Sequence, residues 1–251
     1  MPLLPTDNLA YPVHIVIGTS KGSGFYCNTR SGTYLVTAKH VLFKNGFELY
    51  SAVATLTSLA SDLISGLTLS IDCDAALATG SLRKHATADV AVIKIAISEG
   101  RLLGFLPSVT NTNLLPAGVG LLGVAHDSFR HFADVGISNE VIMFGYPGSL
   151  GKDSQIDRTR PLLRRGIVAG KTEDHRIVID CPVYFGNSGA LIVEIEHPRI
   201  YSIGIAVEMV PFVEELWSKQ FNALTSVRYE NSGYALVEPI GRAEELFDPP
   251  E

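Results

Sequence analysis

The chain is 251 residues long, 46% hydrophobic and only 18% charged, with a formal net charge of −6. That balance supports a sizeable buried core and excludes a disordered chain, while the acidic sign argues against a surface built for phosphate backbones, so no nucleic-acid partner is expected. The three cysteines, Cys27, Cys73 and Cys181, are too few and too irregularly spaced for a disulfide framework or a paired Cys-x-x-Cys zinc site. They read as small buried apolar residues in a reducing compartment.

The opening MPLLPTDNLAYP has neither the basic region nor the apolar run of a secretory signal, and no apolar stretch is long enough to span a bilayer. Cytoplasm is therefore the default expectation, with no membrane partner. From there, short apolar runs alternate with Gly, Pro, Asn and Ser. Residues 13–18, 33–38, 89–97, 140–148, 176–180, 190–196, 201–207 and 233–239 each have the length and β-branched content of a strand. Residues 98–120, with their Gly, Pro and Asn, are expected to form a crossover. Two stretches read as helical: 210–221 (VPFVEELWSKQF) and 240–247 (IGRAEELF). The spacing of the strands predicts an all-β barrel or sandwich, built as one unit of two packed β-subdomains.

Three segments carry chemistry. In YLVTAKHVLF a strand ends at Ala38 and His40 follows on the turn. In ATADVAVIKI, Asp89 stands at the mouth of an apolar strand. In YFGNSGALIV, a Gly-Asn-Ser-Gly turn presents Ser188 ahead of another strand. A serine hydroxyl becomes a nucleophile at neutral pH only with a base in contact and a carboxylate to hold that base in the right tautomer. His40, Asp89 and Ser188 are the candidates for these roles. The glycines around Ser188 let backbone N–H groups approach a substrate carbonyl, so Gly186 and Ser188 are the candidate oxyanion donors. Each motif alone is a common turn or cap; their joint occurrence at three strand edges carries the argument.

His40, Asp89 and Ser188 in this order, within T-A-x-H, D-V-A-V and G-N-S-G contexts, resemble the trypsin-like serine peptidases, and bacterial trypsin-like and HtrA-type protease domains most of all. Gly22-Ser23-Gly24-Phe25, Ile142 to Gly148, Gly166-Ile167-Val168, Asp180 and the closing SGYALVEP extend the likeness from about residue 13 to 246. Ala190 departs from it, standing where the second Gly after the nucleophile is usual. The resemblance implies two packed six-stranded Greek-key β-barrels and a short C-terminal helix, all in a single domain, 1–251. Residues 1–105 would form the barrel with His40 and Asp89, and 106–251 the barrel with Ser188. It also implies a serine endopeptidase acting on protein or peptide through an acyl-enzyme, with no cofactor and no metal. The specificity pocket would be lined by Pro182, Val183, Val207, Met209 and Ser232, with no carboxylate at its base. Two other readings share the site: a catalytically silent binding module, and an esterase or other acyl hydrolase.

Overall fold

A computed structural model describes residues 4–99, 102–113, 119–148, 157 and 159–249. The fold is mostly β, in two curled sheets, with a short C-terminal helix. The long strands of the first sheet are β1 (Pro12–Ile17), β2 (Ser20–Thr29), β3 (Gly32–Ala38), β4 (Val53–Leu59), β5 (Gly66–Asp72) and β6 (Val90–Glu99). They pair in the order β6-β3-β2-β1-β4-β5, every pair antiparallel. The second sheet contains β7 (Glu140–Gly145), β8 (Leu162–Lys171), β9 (Ile177–Asp180), β10 (Leu191–Glu196), β11 (Arg199–Ser218) and β12 (Ala223–Pro239). It closes into a barrel in the order β7-β8-β9-β12-β11-β10.

Side-chain alternation explains how the sheets stack, since successive residues of a strand point to opposite faces. Val141 and Met143 of β7, with Ile192 of β10, fill the inside of the second barrel. Ile142 and Phe144, with Leu191 and Val193, pack against the core of the first sheet. Both faces of these strands are buried, so they read in sequence as continuous apolar runs.

The segment 98–120 differs from the expected crossover. Leu102–Phe105 pairs with β6, and Val109–Asn111 pairs with β5. Together with Val124–Ala125, which runs parallel to β2, they carry the first sheet past residue 105. A larger correction concerns 210–221. It is not a helix: residues 210–218 are the outer half of β11, paired with β12 from Pro211↔Asn231 to Ser218↔Ala223, and 219–221 lie in the turn that follows. Tertiary pairing overrides a mixed local pattern here. The following ALTSVRY is rich in β-formers, and Asn222 adopts φ 45° in the reversing turn, a value Asn tolerates. A helix over 210–221 would leave that second strand without a partner.

After Pro239 the chain crosses onto the first sheet. Ile240 and Ala243, on either side of the start of the helical turn Gly241–Glu244, join that sheet's core. The Phe247 ring lies 4.5 Å from Tyr34, and Asp248 pairs with Arg83 and, at 2.6 Å, with Lys94. No helix among the described residues is long and apolar enough to cross a membrane.

Candidate active site

His40 sits in a single helical turn, Lys39–Leu42, directly after β3, and Asp89 immediately precedes β6, the neighbour of β3 in the sheet. Adjacent strands thus bring the two together although 49 residues separate them. Asp89 holds His40 with both oxygens: Oδ2 is 2.5 Å from the ring Nδ1, and Oδ1 accepts the backbone N–H at 3.0 Å. Burial pushes the Asp89 carboxyl up, but the hydrogen bonds from the His40 ring and backbone and the nearby cationic charge of Lys39 outweigh it. They hold the carboxyl below the usual aspartate value.

The loop that delivers Asp89 is fixed on several sides. Lys39 Nζ donates to the carbonyls of His85 and Ala88 at 3.1 and 2.9 Å. His85 Nδ1 accepts the Ala88 N–H at 2.8 Å, which leaves Nε2 carrying the proton it shares with Glu245 at 2.9 Å. The Asp89 N–H reaches Glu238 of β12 at 3.3 Å.

Ser188 belongs to the turn between β9 and β10, in the other barrel. Asn187 donates its N–H to the Tyr184 carbonyl, and Gly189 donates to Ala206 of β11 at 2.7 Å. Gly189 has φ +88°, and a Cβ there would lie 2.0 Å from the Ser23 carbonyl, so only glycine fits this step of the turn. Ala190 is accommodated because it faces Gly145; a Cβ at residue 145 would come within 3.3 Å of the Ala190 methyl. Asn187 is buried beside them, with both amide atoms unpartnered.

Sequence reasoning did not single out the residue that joins the halves. Ser23, fully buried in β2, donates its N–H to the Ser188 carbonyl at 2.8 Å and its hydroxyl to the Gly186 carbonyl at 2.7 Å. The same hydroxyl accepts the Tyr146 N–H at 2.9 Å, and the Ser23 carbonyl accepts Thr37 Oγ1 at 2.7 Å. A buried serine between two glycines was the available signal. At Gly22 a Cβ would meet Val41 at 2.6 Å and the Ser188 carbonyl at 3.0 Å, so the strand passes tightly between the histidine turn and the serine turn. Ser188 and His40 are brought to the same junction, although no hydrogen bond joins their side chains in this structure.

The Phe185 carbonyl accepts the Gly148 N–H at 2.8 Å. In a trans peptide the carbonyl and the following N–H point in opposite directions, so this bond also aims the Gly186 N–H. Neither Gly186 nor Ser188 donates its N–H to a protein acceptor among the described residues.

The expected pocket residues are more dispersed. Val183 is buried in the core of the second barrel and Val207 in that of the first, while Pro182 and Met209 are half-buried. Ser232 Oγ donates to the Val210 carbonyl at 2.6 Å. Glu208 points outward and pairs with Arg176 at 3.3 Å. A cavity of about 700 Å³ opens elsewhere, between Asn28, Arg30, His126 and Phe247, and shares no residue with the triad candidates. The three cysteines are free and buried; burial pushes the thiols of Cys73 and Cys181 up to about 11 and raises Cys27 further, so none is a poised nucleophile.

Residues 22–200 match the family of trypsin-like peptidase domains. No curated protein matches the chain in sequence. Among solved structures, the HtrA-type protease AlgW with a tripeptide superposes with a TM-score of 0.53 at 14% identity, covering 96% of this chain and 62% of that one. A serine endoprotease from Yersinia pestis gives 0.52 at 15%, covering 96% and 65%. Deg5 gives 0.51 at 16%, covering 80% of each. This chain therefore spans less than two thirds of the length of the first two, and the likeness is one of fold.

Proposed function

Because this chain belongs to the trypsin-like peptidase domain family, we propose that it is a serine endopeptidase with Ser188 as nucleophile, His40 as general base and Asp89 as the group that orients the base. The observation that carries the reading is the double grip of Asp89 on His40. With Nδ1–H directed at Asp89, the ring's lone pair is on Nε2, the nitrogen free to take a proton from Ser188.

Ser188 Oγ attacks the scissile carbonyl as His40 takes its proton. The N–H groups of Gly186 and Ser188 stabilise the oxyanion, each such donor being worth about 2.7–4 kcal/mol of barrier. His40 then protonates the leaving amine, and water repeats the sequence on the acyl-enzyme. Asp89, held ionised by its partners, stabilises the imidazolium at each stage. These steps call for no cofactor. With Glu208 turned out to Arg176, apolar surroundings at Pro182 and Met209 favour small or medium apolar side chains at the cleaved position. The test is exposure to a fluorophosphonate followed by mass spectrometry: one adduct on Ser188 is expected, and an unlabelled serine in folded protein overturns the reading.

A further inference from the structure

The outer halves of β11 and β12 form a two-stranded arm in which every residue from Pro211 to Glu230 is exposed except Ser218, which is half-buried. Directly paired residues of an antiparallel ribbon share a face. Val213 with Tyr229, Glu215 with Val227, and Trp217 with Leu224 therefore line one face; Phe212 with Glu230, Glu214 with Arg228, and Leu216 with Ser226 line the other. The Trp217 indole N–H donates to Glu215 at 3.3 Å, as the first face requires. That face leaves Trp217 61% and Tyr229 69% accessible, alongside exposed Val213, Leu224 and Val227. Five exposed apolar side chains grouped around one glutamate on a bare ribbon mark a contact surface.

The course of β11 points to the occupant. Its Ala206 exchanges hydrogen bonds with Gly189 and Ala190, the residues directly after the nucleophile, and the strand then runs straight into the arm. Beyond Ala206 this edge of β11 pairs with no other described strand. At the base of the arm, Asn231 Nδ2 donates to the Val183 carbonyl at 2.7 Å, which ties the ribbon to the segment leading into Ser188. An extended chain running from Ser188 along β11 meets this open edge. We propose that the arm is a substrate-docking surface, which binds an extended, alternately apolar stretch of the polypeptide substrate as an added strand, remote from the scissile bond. This rests on the serine peptidase reading above. At about 3.3 Å per residue, the distance from Ala206 to Trp217 asks for roughly ten substrate residues beyond the cleavage point. Glu215 is the charged residue among the pairs of the apolar face, so Lys or Arg between the apolar residues is preferred to Asp or Glu.

The experiment compares kcat/KM for a four-residue peptide with that for peptides of fourteen residues sharing its scissile bond, extended on the amino or the carboxyl side. One extended series, alternately apolar, is expected to gain about tenfold or more, the gain lying in KM. Trp217→Thr with Tyr229→Thr, which keep β propensity, should lower the long-to-short ratio toward one. A chain with 212–230 replaced by a short turn should do the same. Labelling of Ser188 by a fluorophosphonate is followed in each. An unlabelled native protein sinks the peptidase reading itself. Labelling with a ratio near one for both series, or a ratio that the arm variants do not change, overturns the docking surface alone. A change of sedimenting mass on shortening the arm, with the ratio unaltered, would assign the face to a second copy of the chain and likewise overturn it.

Discussion

His40 and Asp89 are held mainly within one sheet, by adjacent strands and by bonds that Lys39 and His85 make in the loop before Asp89, with one further bond from the Asp89 N–H to Glu238 of β12. Ser188 is held from both barrels, through the buried Ser23 of the first sheet and through Gly189, whose N–H bonds Ala206 of β11 and whose backbone no other residue can copy. The setting of His40 thus rests chiefly on side chains, which tolerate small adjustments, whereas the Ser188 turn rests chiefly on close backbone contacts. Damage to the first half should mistune the chemistry; damage to the second should dismantle it.

The largest effect tests whether the halves act as one. Ser188→Ala should lower peptide turnover by about 10³- to 10⁶-fold, and adding His40→Ala should cost almost nothing more, since triad members are strongly non-additive. A double variant far slower than either single one would separate the halves. Asp89→Asn should cost about 10³- to 10⁴-fold while the fold survives, because the ring loses its tautomer and its counter-charge; an unperturbed rate would remove Asp89 from the reaction.

Ser23→Ala sharpens the contrast. It strands the part-buried Gly186 carbonyl and the buried Tyr146 N–H, at a cost of about 1–3 kcal/mol in denaturant unfolding. It should slow acylation by about tenfold or more through a displaced Ser188 turn. Nuclear magnetic resonance of the His40 imidazole should meanwhile keep the signature of the Asp89 bond, and its loss would show that the two halves are not separately supported.

The smallest effect lies at the chain's last described segment. Asp248 is held at a pKa of about 2, first by its hydrogen bond from Lys94 and then by Arg83, against the usual 3.8. A carboxyl depressed in the folded state contributes its full stability above the unfolded value and loses it as pH falls toward the folded one. Asp248→Asn should therefore be about 1 kcal/mol less stable than the native chain above pH 4, a figure discounted for solvent access. The gap should close between about pH 4 and pH 2. A gap that persists at pH 2 would assign the effect to packing.

The fold class and the three candidate residues were legible because they depend on local signals: apolar runs, strand-end turns and a Gly-Asn-Ser-Gly step. β4 and β5 give a weak signal because their buried Ala, Leu and Ile are interleaved with Thr and Ser, which dilutes the apolar run. The arm was misread because its strand character comes from a partner a dozen residues away. Ser23 has no local signature beyond its glycines, since all its bonds from the side chain lead to residues more than 120 positions distant. The wall expected from Val183 and Val207 is equally non-local: Val183, in the segment after β9, packs into the core of the second barrel, and Val207, on β11, into that of the first.

The path of residues 240–248 bears on how separable the two barrels are. Lys94 and Arg83 find Asp248 only 154 and 165 positions later in the chain, and Ile240 and Ala243 complete a core begun at Val13. The first sheet is consequently a structure on loan, finished by a segment that belongs by connectivity to the other barrel. Such distant closure makes for slow, all-or-none folding. It also forms a mechanical link: through Glu245 and His85, any fraying of this segment reaches the loop that presents Asp89. The grip of Asp89 on His40 is therefore tensioned from residues far along the polypeptide.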